Sequence, residues 1–433
     1  DARREIGMWL LLVCVVVGGF YTAWNIGAND VANAVGPSVG AGALTLKQAV
    51  LIAAVFEFLG AVLLGDRVIG TIESGLVAPS GHVLSSQDYV FGMAAALLAT
   101  GVWLQIASFC GWPVSTTHAI VGAVLGFGII LKEDAVIYWN SCGRVFVSWL
   151  ASPIIGGYFA FLIFSFIRKA ILYKKDPVSA MVRIAPFLSA IIIFALGLVL
   201  ILSGAVAPVI SFSPALRIVC GLSLFAFFFT IWGIRFFKLA ILPQEVLPGT
   251  LLDRLLSKST DYGRKYLIVE RIFAYLQMII ACFMSFAHGS NDVANAIAPV
   301  AGIYRTLYPQ SYSSKVLLVF MSLGGLGLVC GLATWGWRVI DTIGKKITEL
   351  TPSRGFSVGM SSAITIAAAS SLGFPISTTH VVVGSVLGIG FARGLRAINL
   401  RIIKDIVLSW FITVPAGAAL SIVFFLLLRA LFC

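Results

Sequence analysis

The chain has 433 residues, 59% hydrophobic and 11% charged, with a mean hydropathy of +1.01 and a formal net charge of +12. Soluble domains carry roughly 25% charged residues, so a water-exposed globular surface is excluded. The Lys and Arg residues fall mostly between apolar runs, which is the bias of inner-membrane proteins and not the footprint of a nucleic-acid binder.

In chain order, apolar runs of helix-spanning length occupy 7–24, 47–65, 88–109, 145–167, 183–205, 214–234, 268–287, 315–335, 356–372 and 405–428. About 20 such residues cross a hydrocarbon core, and the shorter alternating segments of a membrane barrel are missing. The predicted fold class is therefore an all-α polytopic membrane protein. The first run leads straight into a polar motif, so it reads as mature structure and not as a cleaved leader. The seven cysteines, at 14, 110, 142, 220, 282, 330 and 433, lie mostly in apolar stretches with no C-x-x-C spacing. They read as small hydrophobes or inert thiols, not as a disulfide frame or a metal site.

The chain repeats itself. GANDVANAVGP (27–37) and GSNDVANAIAP (289–299) share eight of eleven residues at an offset of 262. GWPVSTTH (111–118) and GFPISTTH (373–380) recur at the same offset, and Gly122, Gly126 and Gly128 match Gly384, Gly388 and Gly390. The organisation is a first repeat over 1–168, two linking helices plus a basic loop over 169–267, and a second repeat over 268–433. Each half holds five apolar segments when 118–131 and 380–392 count as spans or half-spans.

Loop charge sets the relative orientation of the halves. Loop 66–87 holds Arg67, whereas its counterpart near 336–356 holds Arg338, Lys345, Lys346 and Arg354. Loop 131–144 holds Lys132 and Arg144, against Arg393, Arg396, Arg401 and Lys404 in 393–406. Positive loops stay cytoplasmic, so equivalent loops lie on opposite faces and the repeats are inverted. With the basic connector 235–271 cytoplasmic, both termini are external, although Arg3 and Arg4 weigh slightly against that. Inverted repeats are a feature of secondary transporters, whose substrate site lies near the midplane at the repeat interface.

The repeated motifs are polar where the chain is otherwise greasy. Asn29 and Asn33 share a helical face with Asp30 beside them, and Gly36, Pro37 and Gly40 are expected to break that helix. Broken membrane helices survive only where they line a cavity or are buried in protein. An Asx helix cap is the bland alternative, but Asn291, Asp292 and Asn295 repeat the set, and an intramembrane carboxylate marks a functional site by default. In the second motif, Pro113 and Pro375 suit the start of a helix or the turn before it. Ser115, Thr116 and Thr117, with Ser377, Thr378 and Thr379, then gather hydroxyls and free N–H groups at a helix N-terminus, a ready anion site. Hydroxyls bonding back to helix carbonyls are the structural alternative. His118 and His380 either touch the substrate or fix a tautomer on a neighbouring oxygen. His288 has Ile26 as its counterpart and breaks the symmetry.

The four motifs contain no Lys or Arg. Their Asp, Asn, Ser and Thr oxygens suit hard cations, while their hydroxyls and N–H groups suit a tetrahedral oxyanion. Two aspartates and a phosphate monoanion at ~5 Å and an effective dielectric of ~20 repel by about 3 kcal/mol per pair. The anion therefore needs Na⁺ or H⁺ bound beside it. A carboxylate acceptor also favours an anion that carries a proton, so hydrogen phosphates fit better than sulfate.

GANDVANA and GSNDVANA, with PVSTTH and PISTTH, resemble the inorganic phosphate transporter (PiT) family over nearly the whole chain. The resemblance implies phosphate uptake driven by Na⁺ or H⁺, about twelve membrane segments including re-entrant pieces, a homodimer, and a bacterial plasma membrane or plastid inner envelope. It places the essential aspartates at Asp30 and Asp292, the amides at Asn29, Asn33, Asn291 and Asn295, and the hydroxyl clusters at Ser115–Thr117 and Ser377–Thr379. Ala298 stands where the first copy has Gly36, which would stiffen the second break. At the 262 offset Glu57 falls on Val319 and Gln105 on Ala367.

The sequence thus reads as a cation-coupled phosphate symporter working by alternating access, with no cofactor and no catalytic residue. Asn29, Asp30, Asn291 and Asp292 would hold Na⁺ or H⁺, with Na⁺ on Asp30 and Asp292. Phosphate would contact Asn33, Asn295 and the two Ser/Thr clusters. Glu57, Gln105, His118 and His380 are pathway candidates. A sulfate-type carrier, an anion channel and an intramembrane hydrolase built on Ser115, His118 and Asp30 are the rivals, and the last would need only one copy of the motifs.

Overall fold

The structure is a computed structural model describing residues 2–73, 75–79, 86–131, 135–202, 210–241, 261–341, 349–394 and 399–432. In order, the elements are α1 (Ala2–Gly40), α2 (Leu46–Leu64), α3 (Asp66–Glu73), β1 (Val77–Pro79), α4 (Ser86–Cys110), α5 (Thr116–Leu131), β2 (Ala135–Ile137), α6 (Trp139–Ile167), α7 (Pro177–Leu202) and α8 (Phe212–Ile241). After the connector come α9 (Asp261–Leu307), α10 (Ser314–Trp335), α11 (Trp337–Asp341), α12 (Pro352–Ser371), α13 (Thr378–Arg393) and α14 (Leu400–Phe432). Among the described residues, nine helices are long and apolar enough to cross a membrane: α1, α2, α4, α6 to α10, and α14. Helices α5 and α13, of 16 residues each, and α12, the repeat of α4, bring the membrane segments to about twelve. The described cysteines are unpaired thiols, and Cys433 lies outside the described residues.

The short helices are re-entrant. β1 and β2 pair antiparallel, Val77 with Ile137 and Pro79 with Ala135, a small addition to an otherwise helical fold. This pairing brings the chain before α4 and after α5 to one face, so α4–α5 is a hairpin that enters and returns. The second copy closes its hairpin differently. Arg393, at the end of α13, donates to the carbonyl of Glu349, just before α12, at 3.2 Å. Helix α5 is buried nearly all round, as a helix that is apolar on every side must be.

Packing is crossed between the halves. A Cβ on Gly27 of α1 would strike the backbone of Leu328 in α10, and one on Gly289 of α9 would strike that of Glu57 in α2. Gly122 and Gly126 of α5 lie equally close to Val414 and Ala418 of α14, and Gly384 and Gly388 of α13 to Pro153 and Gly157 of α6. These contacts bring backbones together as small residues do in membrane bundles. The consequence is that neither repeat buries its own motif helices alone.

Two details differ from the sequence reading. The expected break does not interrupt either motif helix: α1 passes Gly36 and Pro37 and ends at Gly40, while α9 passes Ala298 and Pro299 and continues to Leu307. Proline removes one helical hydrogen bond, and these helices are buried on all sides at the motifs, so packing holds the remaining turns together. The second difference is register. Glu57 and Leu328, Gly60 and Gly331, and Gly65 and Gly336 occupy equivalent places, since Gly60 abuts Phe286 as Gly331 abuts Trp24, and Gly65 abuts Val293 as Gly336 abuts Val31. The counterpart of Glu57 is thus Leu328 and not Val319. The extra residues are taken up by the extension of α9 and recovered before α12, leaving the offset of the outer motifs unchanged. Of the charges used for orientation, Lys132, Lys345, Lys346, Arg396 and most of the basic connector lie outside the described residues.

Candidate functional site

The two hairpin tips are built by matching local signals. Gly111 and Gly373 sit at φ +68° and +73°, a left-handed geometry that glycine adopts without strain. Each ends its helix with a Schellman pair: Gly111 and Trp112 donate to Ser108 and Ala107, and Gly373 and Phe374 to Ser370 and Ala369. Pro113 and Pro375 keep the next residues extended. Ser115 and Ser377 then cap α5 and α13, each accepting from the N–H three residues on, at His118 and His380, at 3.2 Å. Thr116 and Thr117, like Thr378 and Thr379, therefore present hydroxyls at buried helix N-termini.

The asparagines of α1 and α9 grip these tips. Asn29 donates to Ser108 Oγ (3.1 Å) and the Trp112 carbonyl (3.0 Å), and its Oδ1 accepts from Val114 N–H (3.3 Å). Asn291 repeats the first two contacts on Ser370 (3.0 Å) and Phe374 (3.2 Å). Asn29, expected as a cation ligand, is in this geometry first a clamp on hairpin α4–α5.

The tips also cross. Thr117 donates to the Ile376 carbonyl (2.9 Å) and Thr379 to that of Val114 (3.1 Å). Asp30 accepts from Thr116 of its own half and lies 3.4 Å from Thr379 of the other. Asn33 reaches Thr378 (3.3 Å) and Thr379 (2.9 Å), while Asn295 reaches Thr117 (3.4 Å). Asp292 accepts from Thr378 (2.9 Å). Ligand atoms of Asp30, His288 and Asp292 all lie within 4.8 Å of one another. Sequence motifs 262 residues apart thus form one chamber, with every expected aspartate, asparagine and threonine at 3% exposure or less.

Several oxygens in that chamber have no donor. Asp292 Oδ1 and the Oδ1 atoms of Asn33, Asn291 and Asn295 are buried without a hydrogen-bond partner. Pro37 and Pro299 also have no N–H to offer the carbonyls of Asn33 and Asn295 four residues back. A buried acceptor left unmet costs about 1–3 kcal/mol, and these oxygens suit a hard cation such as Na⁺.

The pathway candidates separate. Glu57 is fully buried beside the chamber, with Oε1 3.1 Å from His288 Nδ1, and His288 Nε2 lies 2.8 Å from Asp292 Oδ2. His288, set aside in the sequence as an asymmetry, is thus the bridge between two carboxylates, and only the corrected register reveals that Ile26 and Leu328 take the places of His288 and Glu57 in the other half. His118 and His380 meet edge to face at 4.4 Å between ring centroids. Their Nδ1 atoms face the carbonyls of Trp410 (3.4 Å) and Trp149 (3.2 Å), the tautomer-fixing alternative. Gln105 is half-buried, accepts from Tyr21 at 3.5 Å, and is not brought to the chamber. Gln277 gave no signal in the repeat, yet it lies buried and donates to the Pro37 carbonyl at 3.1 Å.

The sequence profile of the phosphate transporter family matches residues 26–421. A putative phosphate permease of Chlamydia muridarum is 88% identical over 98% of this chain and all of its own length. A chloroplastic inorganic phosphate transporter of Arabidopsis thaliana is 42% identical over 96% of this chain and 72% of its own. The solved structure of a protein described as the sodium-dependent phosphate transporter superposes with a TM-score of 0.83 at 36% identity, covering 97% of this chain and 99% of that one. Relatives at 88% and 64% identity are chlamydial, which favours a bacterial plasma membrane over a plastid envelope. Profile, relatives and fold together establish that this chain belongs to the phosphate transporter family, as a multi-pass membrane transporter and not an enzyme.

Proposed function

We propose that the protein is a Na⁺-coupled phosphate symporter that works by alternating access of its inverted repeats, 1–168 and 268–433. The observation that carries this reading is the set of donor-less buried oxygens beside two aspartates and two helix N-termini. Phosphate meets the hydroxyls of Ser115–Thr117 and Ser377–Thr379, with the amides of Asn33 and Asn295. Na⁺ sits on Asp30 and Asp292, helped by Asn291 Oδ1 and the carbonyls freed by the two prolines. Each aspartate repels a phosphate monoanion by about 3 kcal/mol at ~5 Å and an effective dielectric of ~20, so anion and cation occupy the chamber together. The sodium dependence of the structural neighbour favours Na⁺ over H⁺. Crossed packing gives each hairpin tip a partner in the other half, so exchanging the roles of the repeats exchanges the face to which the chamber opens. The working unit is a homodimer.

Purified protein in liposomes, given labelled phosphate and an imposed Na⁺ gradient at fixed pH, should accumulate phosphate. Uptake that ignores Na⁺ but follows a pH gradient would move the coupling to H⁺. Uptake indifferent to both would end the symport reading.

A further inference from the structure

Outside the chamber, an open groove of about 750 Å³ lies between α6 and α12. Its mouth holds Trp139 and Arg144, on the face shared by β1 and β2, and its floor is opened by small residues, Ala151 and Ala368. Phe374 and Ile376 line the same end as Arg144, and their carbonyls hold Asn291 and Thr117 in the chamber; the far end of the groove reaches Ile155 and Ile364.

From this we infer a phospholipid site, with the phosphodiester of an anionic phospholipid on Arg144 and one acyl chain laid in the groove past the tip of hairpin α12–α13 toward Ile155 and Ile364. Length agrees: Arg144 to Ile155 rises about 16 Å along α6, and one leaflet of hydrocarbon is about 15 Å thick. The charge agrees as well. Arg144 is exposed, donates to Ser141 at 3.0 Å, and pairs with no carboxylate among the described residues. Trp139, 62% exposed beside it, marks the headgroup level where indoles concentrate. A guanidinium beside an exposed indole offers a headgroup phosphate paired, charge-assisted hydrogen bonds.

The repeat supplies an internal contrast. A smaller groove of about 380 Å³ lies between α14 and the tip of hairpin α4–α5, reaching Trp112 and Pro113. Trp149 and Trp410 are equivalent, each stacked on a motif histidine, and the same register sets Asp405 of the smaller groove opposite Arg144. One groove therefore offers a cation to a headgroup phosphate, and its twin a carboxylate.

The test is lipid retention by the intact protein, read by native mass spectrometry after transfer from nanodiscs of equal phosphatidylglycerol and phosphatidylcholine. The wild type should retain phosphatidylglycerol in preference, and Arg144→Glu should lower that retention by about fivefold. Ala151→Trp should fill the groove and release the lipid while Arg144 stays. Equal retention of both lipids by the wild type, or unchanged phosphatidylglycerol in Arg144→Glu, would overturn the site. So would an Ala151→Trp variant that keeps its lipid but loses dimer mass, since the groove would then be a surface between two copies. Retention is read without transport, so this result stands or falls apart from the symport reading.

Discussion

The two Asn-Asp elements carry the same residues but not the same surroundings. On α1, Asp30 is met by hydroxyls from both hairpins, and the positions behind it are Ile26 and, across the helix contact, Leu328. On α9, Asp292 takes one hydroxyl and one imidazole, and the positions behind it are His288 and Glu57. The same helix–helix contact is thus apolar in one half and ionic in the other. Glu57 at that depth has His288 as its counter-charge, as a buried carboxylate requires, while Ile26 and Leu328 need none. The two copies share the motif residues and differ in the layer behind them, so the two aspartates have unequal surroundings.

The most disruptive way to probe this contrast is to convert one half toward the other in a single step. Glu57→Leu removes one of the two carboxylates that His288 bridges, and breaking a buried pair costs up to about 3–5 kcal/mol. The variant should unfold at clearly lower temperature in detergent than the wild type. Adding His288→Ile rebuilds the apolar contact of the first half but takes the imidazole from Asp292, so it should recover part of the loss and not all of it. A double variant as stable as the wild type would show that Asp292 does not depend on His288.

Removing the aspartate charges comes next in size. Asp30→Asn and Asp292→Asn each delete an attraction of about 3 kcal/mol at ~5 Å and an effective dielectric of ~20, or about 100-fold in cation affinity. Both should lose Na⁺-driven phosphate uptake while remaining folded. The surroundings rank them: Asp292 already has an imidazole beside it, so Asp30→Asn should shift the Na⁺ dependence further. Equal shifts would mean that the His288 bridge does not distinguish the two cation positions.

Much of this was legible in the sequence, for reasons that also mark the limits. The Asn-Asp and Pro-x-Ser-Thr-Thr-His motifs stand out because polar residues in apolar helices are rare, and their shared offset of 262 revealed the duplication. The start of α5 was legible in Pro113, just ahead of the Ser115–Thr117 hydroxyls. The crossing of the tips was not legible, because Thr117 and Ile376 meet only after both hairpins have entered from opposite faces. The register of α2 against α10 was hidden by two length changes that cancel, so a uniform offset set Glu57 on Val319. His288 lost its meaning for the same reason: its partner lies on another helix in the other half. The helix break expected at Pro37 failed because proline propensity was weighed without the packing that surrounds α1.

The smallest expected difference concerns the crossing threonines. Thr379 Oγ accepts from Asn33 at 2.9 Å and faces both the Val114 carbonyl and Asp30. Thr117 Oγ accepts from Asn295 at 3.4 Å and faces the Ile376 carbonyl. Both hydroxyls tie the hairpins together, but Thr379 also touches a carboxylate and holds its amide at shorter range. Thr379→Ala should therefore weaken phosphate uptake more than Thr117→Ala, by about 1 kcal/mol or roughly fivefold in the phosphate concentration needed. Serine at either position keeps the hydroxyl and should recover most of the loss. If Thr117→Ala were the more damaging, the hairpin crossing would matter more than contact with the aspartate, and the two halves would differ in mechanics and not in charge.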